Sequence, residues 1–141
     1  MVNDDSIISS DKSLENIIID SDSASFHKDV IEASKNIPVL VDFWADWCAP
    51  CKQLTPILES AVKYYKGEIR LVKIDSEKNQ DLSKQLQIQS LPTVYAFYEG
   101  QPIDGFSGAM PENEVKDFIK KVIVASGGGK QEEINKLISE A

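Results

Sequence analysis

Apolar positions along this chain change period several times, and each change marks an element. Val39-Leu40-Val41-Asp42-Phe43 is a run of β-branched and aromatic residues, the pattern of a buried strand. After a turn through Ala45-Asp46-Trp47, the residues Leu54, Ile57, Leu58, Ala61, Val62 and Tyr65 fall at helical spacing. Pro56 lies inside that run and is expected to kink the helix, and Gly67 is placed to stop it. Ile69-Arg70-Leu71-Val72-Lys73-Ile74 returns to a strand pattern. Strand, helix, strand over this length is a βαβ unit, so the two strands should run parallel.

The flanking segments extend the same logic. Ile17-Ile18-Ile19 suits a short first strand, and Ser23 or Ser25 is placed to cap a helix carrying Phe26, Val30, Ile31 and Ala33. Leu82 and Leu86 suggest a short helix. Thr93-Val94-Tyr95-Ala96-Phe97-Tyr98 is a strand, Glu99-Gly100-Gln101-Pro102 a turn, and Ile103 to Ser107 the returning strand of a hairpin. A last helix opens at Pro111, a good first helical residue, and buries Val115, Phe118, Ile119 and Val122. Glu112 and Glu114 near its start and Lys120 and Lys121 nearer its end suit the helix dipole, although Met110 is a poor cap. Residues 1–15, rich in Ser and Asp, read as a flexible acidic tail. Ser126-Gly127-Gly128-Gly129 breaks the chain, and Ile134, Leu137, Ile138 and Ala141 then form a narrow amphipathic stripe. So short a helix is marginal alone, so it either docks on the domain or begins a second helical region.

Composition narrows the class. A chain of 141 residues with 42% hydrophobic and 27% charged side chains suits one compact domain with spare length at its ends. The net charge of −8 gives no electrostatic reason to bind nucleic acid or an anionic membrane. Val94–Tyr98, the longest unbroken hydrophobic stretch, is far too short to span a bilayer. Met1-Val2-Asn3-Asp4-Asp5 has neither the basic nor the apolar region of a secretory signal, so a cytoplasmic protein is expected.

Chemistry concentrates at the only two cysteines, Cys48 and Cys51. With one histidine, His27, placed on an exposed helix face, they cannot supply the four ligands of a structural zinc site, and no metal is expected. A bridge across so short a loop would also do little as a structural staple. A CxxC directly after a buried strand and directly before an amphipathic helix points to redox work. The first backbone N–H groups of a helix lack internal partners and its dipole is positive there, so both favour a thiolate at Cys48. Cys51 lies one turn on and on the same face, in reach of a sulfur bonded to Cys48. An exposed Cys48 should therefore attack a substrate disulfide, and a more buried Cys51 should resolve the mixed disulfide. Asp42 and Lys73 interrupt apolar strands, which is costly unless each is paired or neutralised; the alternative is a solvated position near a strand end. Trp47, beside the nucleophile, is expected on the substrate-facing surface, and Trp44 in the core.

The stretch Val39-Leu40-Val41-Asp42-Phe43-Trp44-Ala45-Asp46-Trp47-Cys48-Ala49-Pro50-Cys51-Lys52 closely resembles the active-site segment of thioredoxins. Leu91-Pro92-Thr93 is similar to the cis-proline loop of that family, and Phe106-Ser107-Gly108-Ala109 to its glycine-bearing turn before the last helix. The likeness covers roughly residues 16–125. It implies the α/β thioredoxin fold, a central mixed sheet with helices on both faces. It also implies a protein dithiol/disulfide oxidoreductase that needs no cofactor beyond a redox-active Cys48–Cys51 disulfide, with protein disulfides as substrates and a thioredoxin reductase as electron donor. By the same resemblance Asp42 is the buried acid that assists proton transfer from Cys51, and Lys73 is its partner. Trp47, Ala49, Pro50, Leu91, Pro92, Thr93 and Gly108 would line the substrate site, where backbone beside Pro92 pairs with an extended substrate strand. Ala49 departs from the family's usual glycine, which should shift the redox potential modestly. The amphipathic stripe after the glycines resembles the start of the helical-repeat region in certain bacterial thioredoxin-domain co-chaperones. That gives an alternative expectation, a module that binds chaperone clients with secondary redox activity. A periplasmic oxidant or isomerase is less favoured, because those relatives often carry His within the CxxC and a helical insertion.

Overall fold

The computed structural model describes residues 17–128. The expected tail over 1–15 and the stripe from Ile134 to Ala141 lie outside the described residues. In chain order the elements are β1 (Ile18–Ser21), α1 (His27–Glu32), β2 (Val39–Trp44), α2 (Ala49–Tyr64), β3 (Arg70–Asp75), α3 (Gln80–Gln85), β4 (Thr93–Tyr98), β5 (Gln101–Ser107) and α4 (Glu112–Ala125). The five strands form one mixed sheet in the order β1-β3-β2-β4-β5. β2 and β3 run parallel, as a βαβ crossover requires, while β4 lies antiparallel to both β2 and β5. This is the α/β architecture that the resemblance implies, a central mixed sheet with helices on both faces.

Strand alternation divides the core between the two faces of the sheet. Leu40, Leu71, Val94 and Ala96 point toward α2 and α4, where they meet Leu54, Leu58, Val62, Val115, Ile119 and Val122. Val39, Val41, Phe43, Val72, Ile74 and Phe97 point the other way and pack with Val30 of α1 and Leu82 of α3. Each of the buried Val, Leu, Ile and Phe side chains contributes roughly 1.5–3 kcal/mol relative to exposure. The same alternation puts Asp42 and Lys73 on the α2 face, directly opposite each other in the β2–β3 register.

Several local expectations are corrected. Neither Ser23 nor Ser25 caps α1. Asp22 Oδ1 accepts the Ser25 N–H at 2.8 Å, and Phe26 holds the N-cap position with no side-chain cap. The segment winds as a π-helix and tightens into a 3₁₀ turn over Ala33–Lys35. The hairpin turn is Glu99-Gly100 alone, with φ of 53° and 79°, and β5 already begins at Gln101. Two left-handed residues make the tight turn whose twist matches the flanking strands. Pro102 is tolerated because β5 is an edge strand, and the register slips by one residue between Ala96 and Phe97. Pro111 is the N-cap residue of α4, one position outside the helix, and the last turn of α4 carries no basic side chain. Among the described residues no helix is long and apolar enough to cross a membrane.

Candidate active site

β2 ends at Trp44, and the chain turns at once into α2. The Cys48 N–H donates to the Ala45 carbonyl at 3.1 Å, which closes the turn. Cys48 has extended backbone angles, φ −91° and ψ 100°, and occupies the N-cap of α2. Its sulfur takes the place of a capping oxygen, accepting the Cys51 N–H at 3.2 Å. Pro50 sits in the first turn, where its missing N–H leaves nothing unmade. Cys48 and Cys51 are joined in a disulfide, with Cα atoms 5.3 Å apart.

The expected contrast between an exposed Cys48 and a buried Cys51 is absent from this oxidised form. Their exposures are 3% and 2%, so burial does not distinguish attacker from resolver. Both pack with Ala45 under Trp44 and Leu91. What separates them is backbone position: Cys48 caps the helix, and Cys51 lies inside its first turn.

The surroundings come from three loops. Trp47 is 68% exposed, and its indole Nε1 donates to Glu77 Oε1 at 2.7 Å. With the exposed Ala49 and Pro50 it makes an apolar ledge beside the disulfide. From the other side Leu91 packs on the cysteine cluster, and the Leu91–Pro92 peptide bond is cis. The Pro92 carbonyl accepts the Gly108 N–H at 2.9 Å, and Thr93 Oγ1 donates to the Ser90 carbonyl at 2.6 Å. Gly108 has φ of 85°, and a methyl added there would meet no atom within 4 Å, so its glycine is required by backbone conformation alone. His27 stays in solvent, with Nδ1 3.5 Å from Glu32.

Beneath the disulfide lies a cross-paired set of charges. Asp42 is fully buried, and its Oδ2 accepts a 2.6 Å hydrogen bond from Thr55 Oγ1. Its Oδ1 has no hydrogen-bond partner among the described residues. Burial pushes the carboxyl up from 3.8 to about 6, against the Thr55 hydrogen bond and the Lys73 charge, which favour the anion, while the Glu59 charge adds to the rise. Lys73 is not bonded to Asp42. Its ammonium reaches Glu59 Oε2 at 2.9 Å and lies 3.8 Å from Asp20. Partial burial acts to lower Lys73, but the Glu59 hydrogen bond and charge, with Asp20 and Asp42 behind them, hold it above its ordinary value. A cavity of about 300 Å³ opens beside these groups, lined among others by Trp44, Cys51, Lys52, Thr55 and Lys73. Trp44, expected in the core, is half-buried on this wall. Thr55, Glu59 and Glu77 carry no signal in the sequence alone. The first two are found only by counting one and two helical turns from Cys51 once Asp42 and Lys73 are known to face α2.

Comparison with known proteins agrees with this geometry. The family model described as Thioredoxin matches residues 17–121. A thioredoxin of Rickettsia felis is 40% identical over 100 residues, covering 71% of this chain and 93% of its own length. Thioredoxin 1 of Synechococcus elongatus is 37% identical over 98 residues, covering 70% of this chain and 90% of its own. A thioredoxin of Rickettsia conorii is 38% identical over 110 residues, covering 78% of this chain and all of its own length.

Proposed function

The chain belongs to the thioredoxin family, and on that premise we propose that it reduces protein disulfides in the cytoplasm, with Cys48 attacking and Cys51 resolving. It is a dithiol/disulfide oxidoreductase whose redox group is the Cys48–Cys51 pair itself. The observation that carries the order of attack is Cys48 at the N-cap of α2, its sulfur facing the Cys51 N–H. In the reduced protein a Cys48 thiolate is stabilised there by the helix N-terminus.

The thiolate attacks one sulfur of the substrate disulfide. A Cys48–substrate bond forms, the substrate S–S bond breaks, and the first substrate sulfur leaves as a thiolate. Cys51 then gives up its proton, with Asp42 as acceptor, and its thiolate attacks the Cys48 sulfur. The Cys48–Cys51 disulfide forms, and the second substrate sulfur departs. The substrate has gained two electrons and the protein has lost two, which a thioredoxin reductase restores. Asp42 suits the acceptor role because a carboxyl titrating at about 6 is ionised at neutral pH yet still basic enough to take a proton. Trp47, Ala49 and Pro50 form one wall for the substrate, and Leu91, Pro92, Thr93 and Gly108 the other, where an extended peptide adds along the backbone. The cytoplasm suits a dithiol that must be held reduced between turnovers.

Turnover tests the function directly. With NADPH and a thioredoxin reductase, the protein should reduce a disulfide-bonded protein catalytically, and Cys48→Ser should abolish this. Wild type and Cys48→Ser reducing that protein at the same rate would refute the assignment.

A further inference from the structure

We propose that Thr55 is a positioning residue for the resolving step: its hydroxyl holds Oδ2 of Asp42, which leaves Oδ1 to take the Cys51 proton and favours the ionised carboxylate. This rests on Asp42 being the acceptor, as proposed above. The two oxygens of Asp42 stand in different situations. Oδ2 accepts from Thr55 at 2.6 Å, while Oδ1 is buried and accepts from no described residue. A threonine inside a helix commonly turns its hydroxyl back to the carbonyl one turn earlier. Thr55 instead spends it across the helix–sheet interface on β2.

Placement ties this contact to the chemistry. Thr55 follows Cys51 by one turn on the same face of α2, and both line the cavity of about 300 Å³. Asp42 lies behind that wall, tied to it through the Thr55 hydroxyl, so the residue that orients the carboxylate shares its lining with the cysteine that must lose a proton. The Cys51 thiolate then bonds to Cys48, and the substrate sulfur leaves with the electron pair of the broken bond. The groups that face Asp42 are Thr55 and Glu59 from α2 and Lys73 from β3, with Asp20 of β1 reaching it through Lys73. Glu59 opposes the anion and also engages the Lys73 ammonium at 2.9 Å. The direct hydrogen bond to the carboxylate is therefore left to a neutral hydroxyl.

The test uses the full chain and two substitutions. Thr55→Val keeps the shape and removes the hydroxyl, and Thr55→Ser keeps the hydroxyl. Carbon-13 NMR of the Asp42 carboxyl in the oxidised protein should show titration moved to higher pH in Thr55→Val and restored in Thr55→Ser. The release of substrate thiol from a preformed Cys48 mixed disulfide should slow in Thr55→Val below neutral pH, by about tenfold for each pH unit of that displacement, and recover at alkaline pH. An Asp42 titration that does not move in Thr55→Val, or moves equally in Thr55→Ser, overturns the proposal. If Asp42→Asn slows release while the Thr55→Val titration stays put, only the role of Thr55 falls. If Asp42→Asn and Thr55→Val both release thiol with the wild-type pH profile, the assignment of Asp42 as acceptor falls, and Thr55 with it.

Discussion

Replacing Asp42 with Asn should make the oxidised protein more stable, and by an amount that depends on pH. A fully buried carboxyl that titrates at about 6 instead of 3.8 binds its proton more tightly in the folded chain than in the unfolded one. Below pH 3.8 both states are protonated and the group contributes no difference. Between the two values the unfolded carboxyl has ionised and the folded one has not, so stability falls as pH rises. Above about 6 both are ionised, and the folded state carries the full penalty of a buried anion. A gap of about 2 pH units at 1.36 kcal/mol each sets that penalty near 3 kcal/mol. Asn keeps the shape and an oxygen for the Thr55 hydroxyl but never ionises. Its advantage over Asp should be close to zero at pH 3, grow through pH 4–6 and level off near 3 kcal/mol above pH 7. Urea denaturation of both proteins across this range reads it directly. With slopes of about 1–3 kcal/mol/M, the midpoint at pH 8 should rise by about 1–3 M. Equal midpoints at pH 8, or an Asn protein that unfolds first there, would show that Asp42 is not a destabilising buried anion and would remove the electrostatic basis for its role.

Two further outcomes follow from the site. Cys51→Ser should accumulate mixed disulfides with substrate proteins that are separable on a non-reducing gel and collapse on adding dithiothreitol; recovering none would reverse the assigned order of attack. Gly108→Ala should cost about 1–2 kcal/mol in denaturant melts, because its φ of 85° strains any residue with a Cβ although the methyl itself touches nothing; an unchanged midpoint would mean that the turn relaxes without penalty.

The β2–α2–β3 unit is legible because its periods are clean: a strand apolar but for one charge, a helical stripe, a second mostly apolar strand. The cysteines were legible from their place at the junction of two of those patterns. Asp42 and Lys73 stood out for the opposite reason, as charges where the pattern demands apolar side chains. What the pattern does not carry is which partner each charge takes. Their register places them opposite each other on the α2 face, and that alone suggests a direct ion pair. The pairing is decided by α2, whose Thr55 and Glu59 lie a turn apart above the strand pair. The burial of Cys48 is not legible for a different reason: Leu91, which packs on it, comes from a distant loop. The sequence pattern does not show that Gln101 and Pro102 belong to β5, because a proline is acceptable in a strand only at a sheet edge, and the edge position of β5 comes from the topology.

The cross-pairing has a chemical consequence that a direct ion pair would forfeit. Cys48, Cys51, Thr55 and Glu59 follow one another at spacings of three, four and four, so they form a single stripe down α2. Under that stripe, β2 and β3 offer one buried acid and one base side by side. Were the Lys73 ammonium bonded to Asp42, its charge at hydrogen-bond distance would pull the carboxyl down, toward or below its ordinary range. An acid held that low is a poor proton acceptor near neutrality, because its conjugate base is too weak. Glu59 draws the ammonium to itself at 2.9 Å, and Thr55 gives Asp42 a neutral donor in its place. Burial then outweighs what remains of the Lys73 attraction and leaves the carboxyl at about 6, below neutral pH yet well above a free aspartate. The same arrangement that makes Asp42 a stability liability at pH 7 makes it a usable base there, so removing the liability should slow the resolving cysteine.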